Sequence, residues 1–272
     1  MAKIGIFDSG LGGLTVLSAA LRQTPHHDYI YLADSANAPY GEKSPEWLES
    51  RSHLLCTWLA EQGCDAIVVA CNTATTGAIA SIRKAFPDIP VIGVEPGIKP
   101  AAMTTQTKVV GVLATQNTLA SDKFKALLGT LPADCQFIQQ AGLGLVPLIE
   151  DGALSSPEIK KLLKEYITPM LESGADTLVL GCTHYPFLIP CISELFGNQL
   201  KIVDTSDAIV RQIQRFIPDE NPEDEMQQIT LRKQHQIYLY STKDGDQLLT
   251  HAHNLINLRD VNIAIQGLTI SL

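Results

Sequence analysis

Aromatic residues are scarce in this chain of 272 residues, at 6%, and positive charge is outnumbered, leaving a formal net charge of −9. Such an acidic balance argues against a nucleic-acid backbone or an anionic membrane surface as the main partner, because both repel it. The cysteines are Cys56, Cys64, Cys71, Cys135, Cys182 and Cys191. They form no CxxC pair and no compact framework, which argues against both a disulfide scaffold and a zinc site. No apolar run is long enough to span a bilayer. The opening Met-Ala-Lys-Ile-Gly-Ile-Phe-Asp carries no leader-like basic and apolar regions, so a reducing cytoplasmic location is expected.

With 45% hydrophobic residues the chain has ample material for one large core or two modest ones. Short β-branched runs alternate with longer helical patterns, the rhythm of an α/β fold with parallel sheets. Strands are expected at 3–8, 28–33, 65–71, 90–94, 108–115, 136–139, 177–182 and 201–204. Helices are expected at 14–23, 46–62, 73–85, 121–128, 157–173, 186–196 and 208–216, the second with an apolar face of Leu54, Leu55, Trp58 and Leu59. The polar stretch 218–225 reads as an exposed loop, followed by a strand at 236–241, a helix at 247–255 and a strand at 262–265. Ligands in parallel sheets sit beyond the carboxyl ends of the strands. That rule puts Asp8, Cys71, Thr115, Cys182 and Asp204 at a ligand rim.

Cys71 closes Ala66-Ile67-Val68-Val69-Ala70 and precedes Asn72-Thr73, while Cys182 closes Thr177-Leu178-Val179-Leu180-Gly181 and precedes Thr183-His184. A free cysteine is most often a small buried hydrophobe, and the other four are read that way. A thiol at a strand-to-helix turn should be acidified by the helix dipole. Two such thiols in half-similar settings suit one task performed from two sides: moving a proton across a carbon.

Asp8-Ser9-Gly10-Leu11-Gly12-Gly13 lacks the spacing of a dinucleotide loop and the lysine of a P-loop. It reads as a tight turn with Asp8 placed to orient a neighbour. Ser9, Asn72, Thr73 and Thr183 offer donors that suit either helix capping or a docked carboxylate. Pro39-Tyr40-Gly41 lies in a turn-rich loop, and His184 stands two residues from Cys182. Glu150 reads as an ordinary surface acid.

Four motifs in order, Asp-Ser-Gly-Leu-Gly-Gly-Leu from Asp8, Ala-Pro-Tyr-Gly from Ala38, Ala-Cys-Asn-Thr-Ala from Ala70 and Gly-Cys-Thr-His-Tyr-Pro from Gly181, together resemble the glutamate racemases of the aspartate/glutamate racemase family. Glu-Pro-Gly at Glu95 and Ala-Thr-Gln-Asn-Thr at Ala114 extend the likeness over nearly the whole chain. The resemblance implies a cofactor-independent, metal-free isomerase acting on glutamate and supplying D-glutamate for bacterial cell-wall peptidoglycan. It places catalytic roles on Cys71 (base toward D-glutamate), Cys182 (base toward L-glutamate), Asp8, Glu150 and His184. Substrate contacts would fall on Asp8, Ser9, Tyr40, Gly41, Asn72, Thr73, Thr115, Thr118, Thr183 and His184.

The implied fold is two pseudo-symmetric α/β lobes, 1–97 with 208–272 and 98–207, each a mostly parallel sheet flanked by helices, with the site in the cleft. A homodimer is expected from the same likeness. Asp204 is followed by Thr205-Ser206 where the family often has Ser-Gly. The chain begins almost at its first strand, so activation by a cell-wall precursor through an N-terminal extension is not expected. Competing readings are an aspartate racemase, a thiol-dependent decarboxylase or lyase of related fold, and a non-catalytic two-lobed binding module.

Overall fold

The computed structural model describes residues 1–218, 235–256 and 263–272. Two parallel sheets organise it. The first contains β1 (Lys3–Asp8), β2 (Asp28–Ala33), β3 (Ala66–Val69), β4 (Val91–Gly93), β9 (His235–Ser241) and β10 (Ile263–Thr269), in the order β10-β9-β2-β1-β3-β4. The second contains β5 (Val109–Ala114), β6 (Gln136–Ala141), β7 (Thr177–Gly181) and β8 (Lys201–Val203), in the order β6-β5-β7-β8. The last part of the chain therefore returns to the first sheet, with β9 pairing β2.

The central strands β1, β3, β5 and β7 are covered on both faces, which is why they are buried nearly along their length. In β1 alternate residues feed different cores: Ile4 and Ile6 join one cluster with Val68, while Phe7 joins another with Ile67 and Val69. The helix α1 (Leu14–Gln23) buries Leu14, Leu17 and Leu21 at helical spacing. Its neighbour α10 (Ser206–Phe216) places Ile209, Val210 and Ile213 in that same cluster. In the second unit α8 (Pro157–Glu172) starts with Ser156, whose hydroxyl accepts from Ile159 N, and buries Ile159, Leu163, Ile167 and Met170.

The structure departs from the sequence expectations at several elements. Three short helices were not anticipated: α4 (Ile98–Thr104), α5 (Gln116–Ala120) and α7 (Leu145–Glu150). The region 186–196 is a 3-10 turn, Tyr185–Leu188, followed by α9 (Ile189–Phe196), because Pro186 and Pro190 interrupt one continuous helix. In α2 (Pro45–Glu61) the buried face is Leu48, Ser52, Leu55, Cys56 and Leu59, whereas Leu54, one residue round from Leu55, is exposed. The sixth strand runs to Ala141, two residues past its expected end. Beyond Pro218 the loop expected at 218–225 lies outside the described residues, as does Asn262.

Candidate active site

The carboxyl ends of both sheets face one cavity of about 140 Å³. A water needs roughly 10–15 Å³ in the same measure, so a ligand of about ten non-hydrogen atoms is accommodated. The walls are the segments that follow β1, β2, β3, β5, β6 and β7. Ser9, Tyr40, Gly41, Cys71, Asn72 and Thr73 line it from the first unit. Thr115, Cys182, Thr183 and His184 line it from the second. Asp204 does not join them; it is exposed and its carboxylate accepts from Ser206 N at the start of α10 (2.7 Å).

Cys71 precedes α3 (Asn72–Ala85) as its N-cap residue, with 4% exposure. The expected acidification by the helix dipole is overturned. Burial, followed by the charge of Asp8, pushes the Cys71 thiol up, and the Ala74 N–H and Ser9 hydroxyl offset only part of this. Its sulfur donates to Ser9 Oγ at 3.7 Å. Cys182 is not followed directly by a helix at all; the next element is the turn Tyr185–Leu188. Its sulfur instead lies 3.7 Å from His184 Nδ1.

His184 is buried, and its Nε2 lies 2.5 Å from Glu150 Oε1. Burial alone would lower the His184 pKa, yet hydrogen bonds and charge from Cys182 and Glu150 outweigh it and raise it well above the ordinary imidazole value. Burial likewise pushes Glu150 up, and the His184 contacts with the Leu11 N–H reverse that to a net lowering. The two shifts agree on an imidazolium–carboxylate pair. Glu150 is thus no ordinary surface acid: it accepts from Leu11 N at 2.7 Å and does not itself line the cavity.

Asp8 also stands behind the lining. It is fully buried and accepts from Gly10 N (3.2 Å), Gly13 N (3.1 Å) and Thr183 Oγ1 (3.2 Å). Burial raises its pKa against the lowering by His184. None of Ser9, Asn72, Thr73 or Thr183 caps a helix through its side chain, so the capping explanation for them falls away. Thr73 and Thr115 pair across the cleft at 2.9 Å, and Thr118 stands behind Thr115 at 2.8 Å without lining the cavity.

The glycine-rich turn acquires a specific reason. A Cβ on Gly10 would collide with the Glu150 carboxylate, and one on Gly12 would meet Thr183 Oγ1 at 2.6 Å and His184 Nδ1. The turn is bare where the opposite unit presses its acid and imidazole against it.

Sequence reasoning missed the segment after β6. Gly142, Leu143, Gly144, Val146 and Pro147 line the cavity, and Tyr185 Oη donates to Gly142 O at 3.2 Å. The Gly-x-Gly after a strand was the available signal, hidden because the strand was ended too early.

The Asp/Glu/Hydantoin racemase family matches the chain over residues 9–213. The chain belongs to this family. Glutamate racemases of Cupriavidus pinatubonensis and Ralstonia nicotianae are 58% and 55% identical, over 79% of this chain and 78% of each relative. Among solved structures, Escherichia coli glutamate racemase in complex with L-glutamate and the activator UDP-MurNAc-Ala superposes with a TM-score of 0.81 at 29% identity, covering 99% of each chain. The Francisella tularensis glutamate racemase complex with D-glutamate gives 0.81 at 25% identity, over 100% of this chain and 97% of that one. This racemase-family chain is an isomerase with the two-sheet α/β fold of those structures. Among the described residues no helix is long and apolar enough to cross a membrane.

Proposed function

We propose that this enzyme interconverts L- and D-glutamate by removing the Cα proton with one of Cys71 and Cys182 while the other thiol delivers a proton to the opposite face, without a cofactor, and so supplies D-glutamate for peptidoglycan. The observation that carries the reading is that both thiols open on one small cavity from opposite units. With L-glutamate bound, the Cys182 thiolate takes the Cα proton and the Cys71 thiol delivers its own to the other face. The products are D-glutamate, a Cys182 thiol and a Cys71 thiolate; the reverse reaction starts from that protonation state. The high pKa of Cys71 keeps its proton in place for delivery.

Negative charge develops on the α-carboxylate as the carbanion forms. Donors from Ser9, Asn72, Thr73 and Thr183, all buried residues, meet it there. The His184–Glu150 pair sets positive charge beside Cys182, where the thiolate must form. The substrate ammonium brings further positive charge toward Asp8 and Cys71, offsetting the burial that holds that thiol protonated. We assign Tyr40, Gly41, Thr115 and Thr118 to the cavity wall and its support, residues 1–97 with 208–272 and 98–207 to the two lobes, and place the enzyme in the cytoplasm as a homodimer.

Following optical rotation of pure L- and D-glutamate, and of both aspartate enantiomers, tests the substrate. Loss of rotation from both glutamate enantiomers toward zero is expected, with aspartate little changed. Rotation lost only from aspartate would reassign the substrate, and release of a decarboxylated product would reassign the reaction.

A further inference from the structure

Tyr40 lines the substrate cavity, yet its hydroxyl points elsewhere: it bonds Asp34, a fully buried carboxylate that does not reach the cavity. The same carboxylate accepts two bonds from Arg51 in α2, Nε at 2.8 Å and Nη2 at 2.6 Å. It also accepts from Asn37 Nδ2 at 3.0 Å and from Thr242 Oγ1, just beyond β9, at 2.9 Å. Arg51 Nη1 donates in addition to Leu272 O at 3.0 Å. From the opposite unit Asn117 Nδ2 donates to Lys43 O (2.9 Å) and Tyr40 O (3.4 Å). The turn carrying Tyr40 and Gly41 is therefore held at its back by the Asp34 hub and at its front by the facing lobe.

We propose that Arg51 and Thr242 are positioning residues for substrate binding, acting through Asp34 on the Tyr40–Gly41 wall and tying the C-terminal part of the chain to the site. A two-pronged guanidinium fixes a carboxylate in direction as well as in charge. Without it Asp34 is a buried anion lacking its counter-charge, which favours rearrangement that admits water. The tyrosine anchored to it then loses its fixed place. Because this wall supplies no proton, its loosening weakens ground state and transition state alike, and the effect falls on KM.

The inference rests on the racemase reading. Arg51→Gln is expected to raise KM for both glutamate enantiomers on the order of tenfold, with kcat within about threefold. Arg51→Lys should recover part of the loss, and Thr242→Val should give a smaller rise in the same sense. Tyr40→Phe cuts the other end of the same anchor, so the double variant Arg51→Gln/Tyr40→Phe should be no worse than the worse single change. Unchanged KM in folded Arg51→Gln, loss confined to kcat, or effects that multiply in the double variant would overturn it. Should Arg51→Gln fail to fold, Thr242→Val, which leaves the ion pair in place, decides on the same KM criterion. A wild-type enzyme that does not racemise glutamate sinks the reading and the inference together. An active wild type with indifferent Arg51 and Thr242 variants sinks the inference alone.

Discussion

Gly10 is bare where Glu150 carries its carboxylate: a Cβ built on Gly10 would lie 2.6 Å from Glu150 Cδ and closer still to Oε1. The two residues lie far apart in sequence, in segments that follow strands of different sheets. Their fit brings Glu150 to the Leu11 N–H and to His184, and so sets the charge beside Cys182.

Gly10→Ala should therefore damage catalysis as well as stability. The colliding atoms are the end of a side chain that can swing away, but swinging breaks the His184 pair. Racemisation is expected to fall on the order of 10–100-fold, and the melting temperature to fall with it, because the buried His184 loses its partner. A variant of near wild-type activity would show that the Glu150–His184 contact does not matter to turnover.

Asp8→Asn tests a buried acid whose pKa is raised, first by burial. A carboxyl raised in the folded state stabilises below its unfolded value and loses that contribution as pH rises through the folded one. Above the unfolded value of 3.8 the shift thus costs stability, the more so as pH climbs toward the folded value. Replacing it with the neutral isostere should raise the melting temperature there, and the gain should shrink as pH falls toward 3.8. Activity should drop over the same range. A gain that grows on acidification would contradict this electrostatic assignment.

Glu150→Gln removes the counter-charge of His184. Glu150, held low, contributes stability above the ordinary carboxylate value of 4.5 and loses it as pH falls through its folded value. His184, held high, contributes below the ordinary imidazole value of 6.5 and loses it as pH climbs through its raised one. The difference in melting temperature between wild type and variant should be greatest between these two values. In the variant, burial should pull the His184 titration downward, visible by NMR of the imidazole ring. A His184 titration unmoved by the change would separate the two residues electrostatically.

Much of this site was legible in the chain because strand ends announce themselves. Ile4–Phe7 and Val68–Ala70 are continuous apolar runs that stop at Asp8 and Cys71, and the end-of-strand rule gathers such residues without further information. The rule broke where composition blurred the end. Gln139-Gln140-Ala141 continues β6, an edge strand whose side chains are only partly buried, so polarity concealed it and the cavity wall beyond it. α7 was hidden by Pro147 amid apolar residues that also suit a strand. Asp204 obeyed the rule in sequence yet serves its own helix start. The Cys71 shift escapes the sequence because a dipole can be read from one turn, whereas burial by segments distant in the chain cannot. The Gly10–Glu150 fit, between residues so far apart in the chain, lay beyond any local pattern.

The central claim is best tested by running the reaction in D₂O from each glutamate enantiomer and following deuterium at Cα by NMR at early times, with wild type, Cys71→Ala and Cys182→Ala. Two opposed thiols predict that the product enantiomer carries deuterium while unreacted substrate keeps its protium, and that neither alanine variant interconverts the enantiomers. Deuterium entering recovered substrate as fast as product forms, or full racemisation by either single variant, would contradict removal of the Cα proton by one of Cys71 and Cys182 and its replacement by the other.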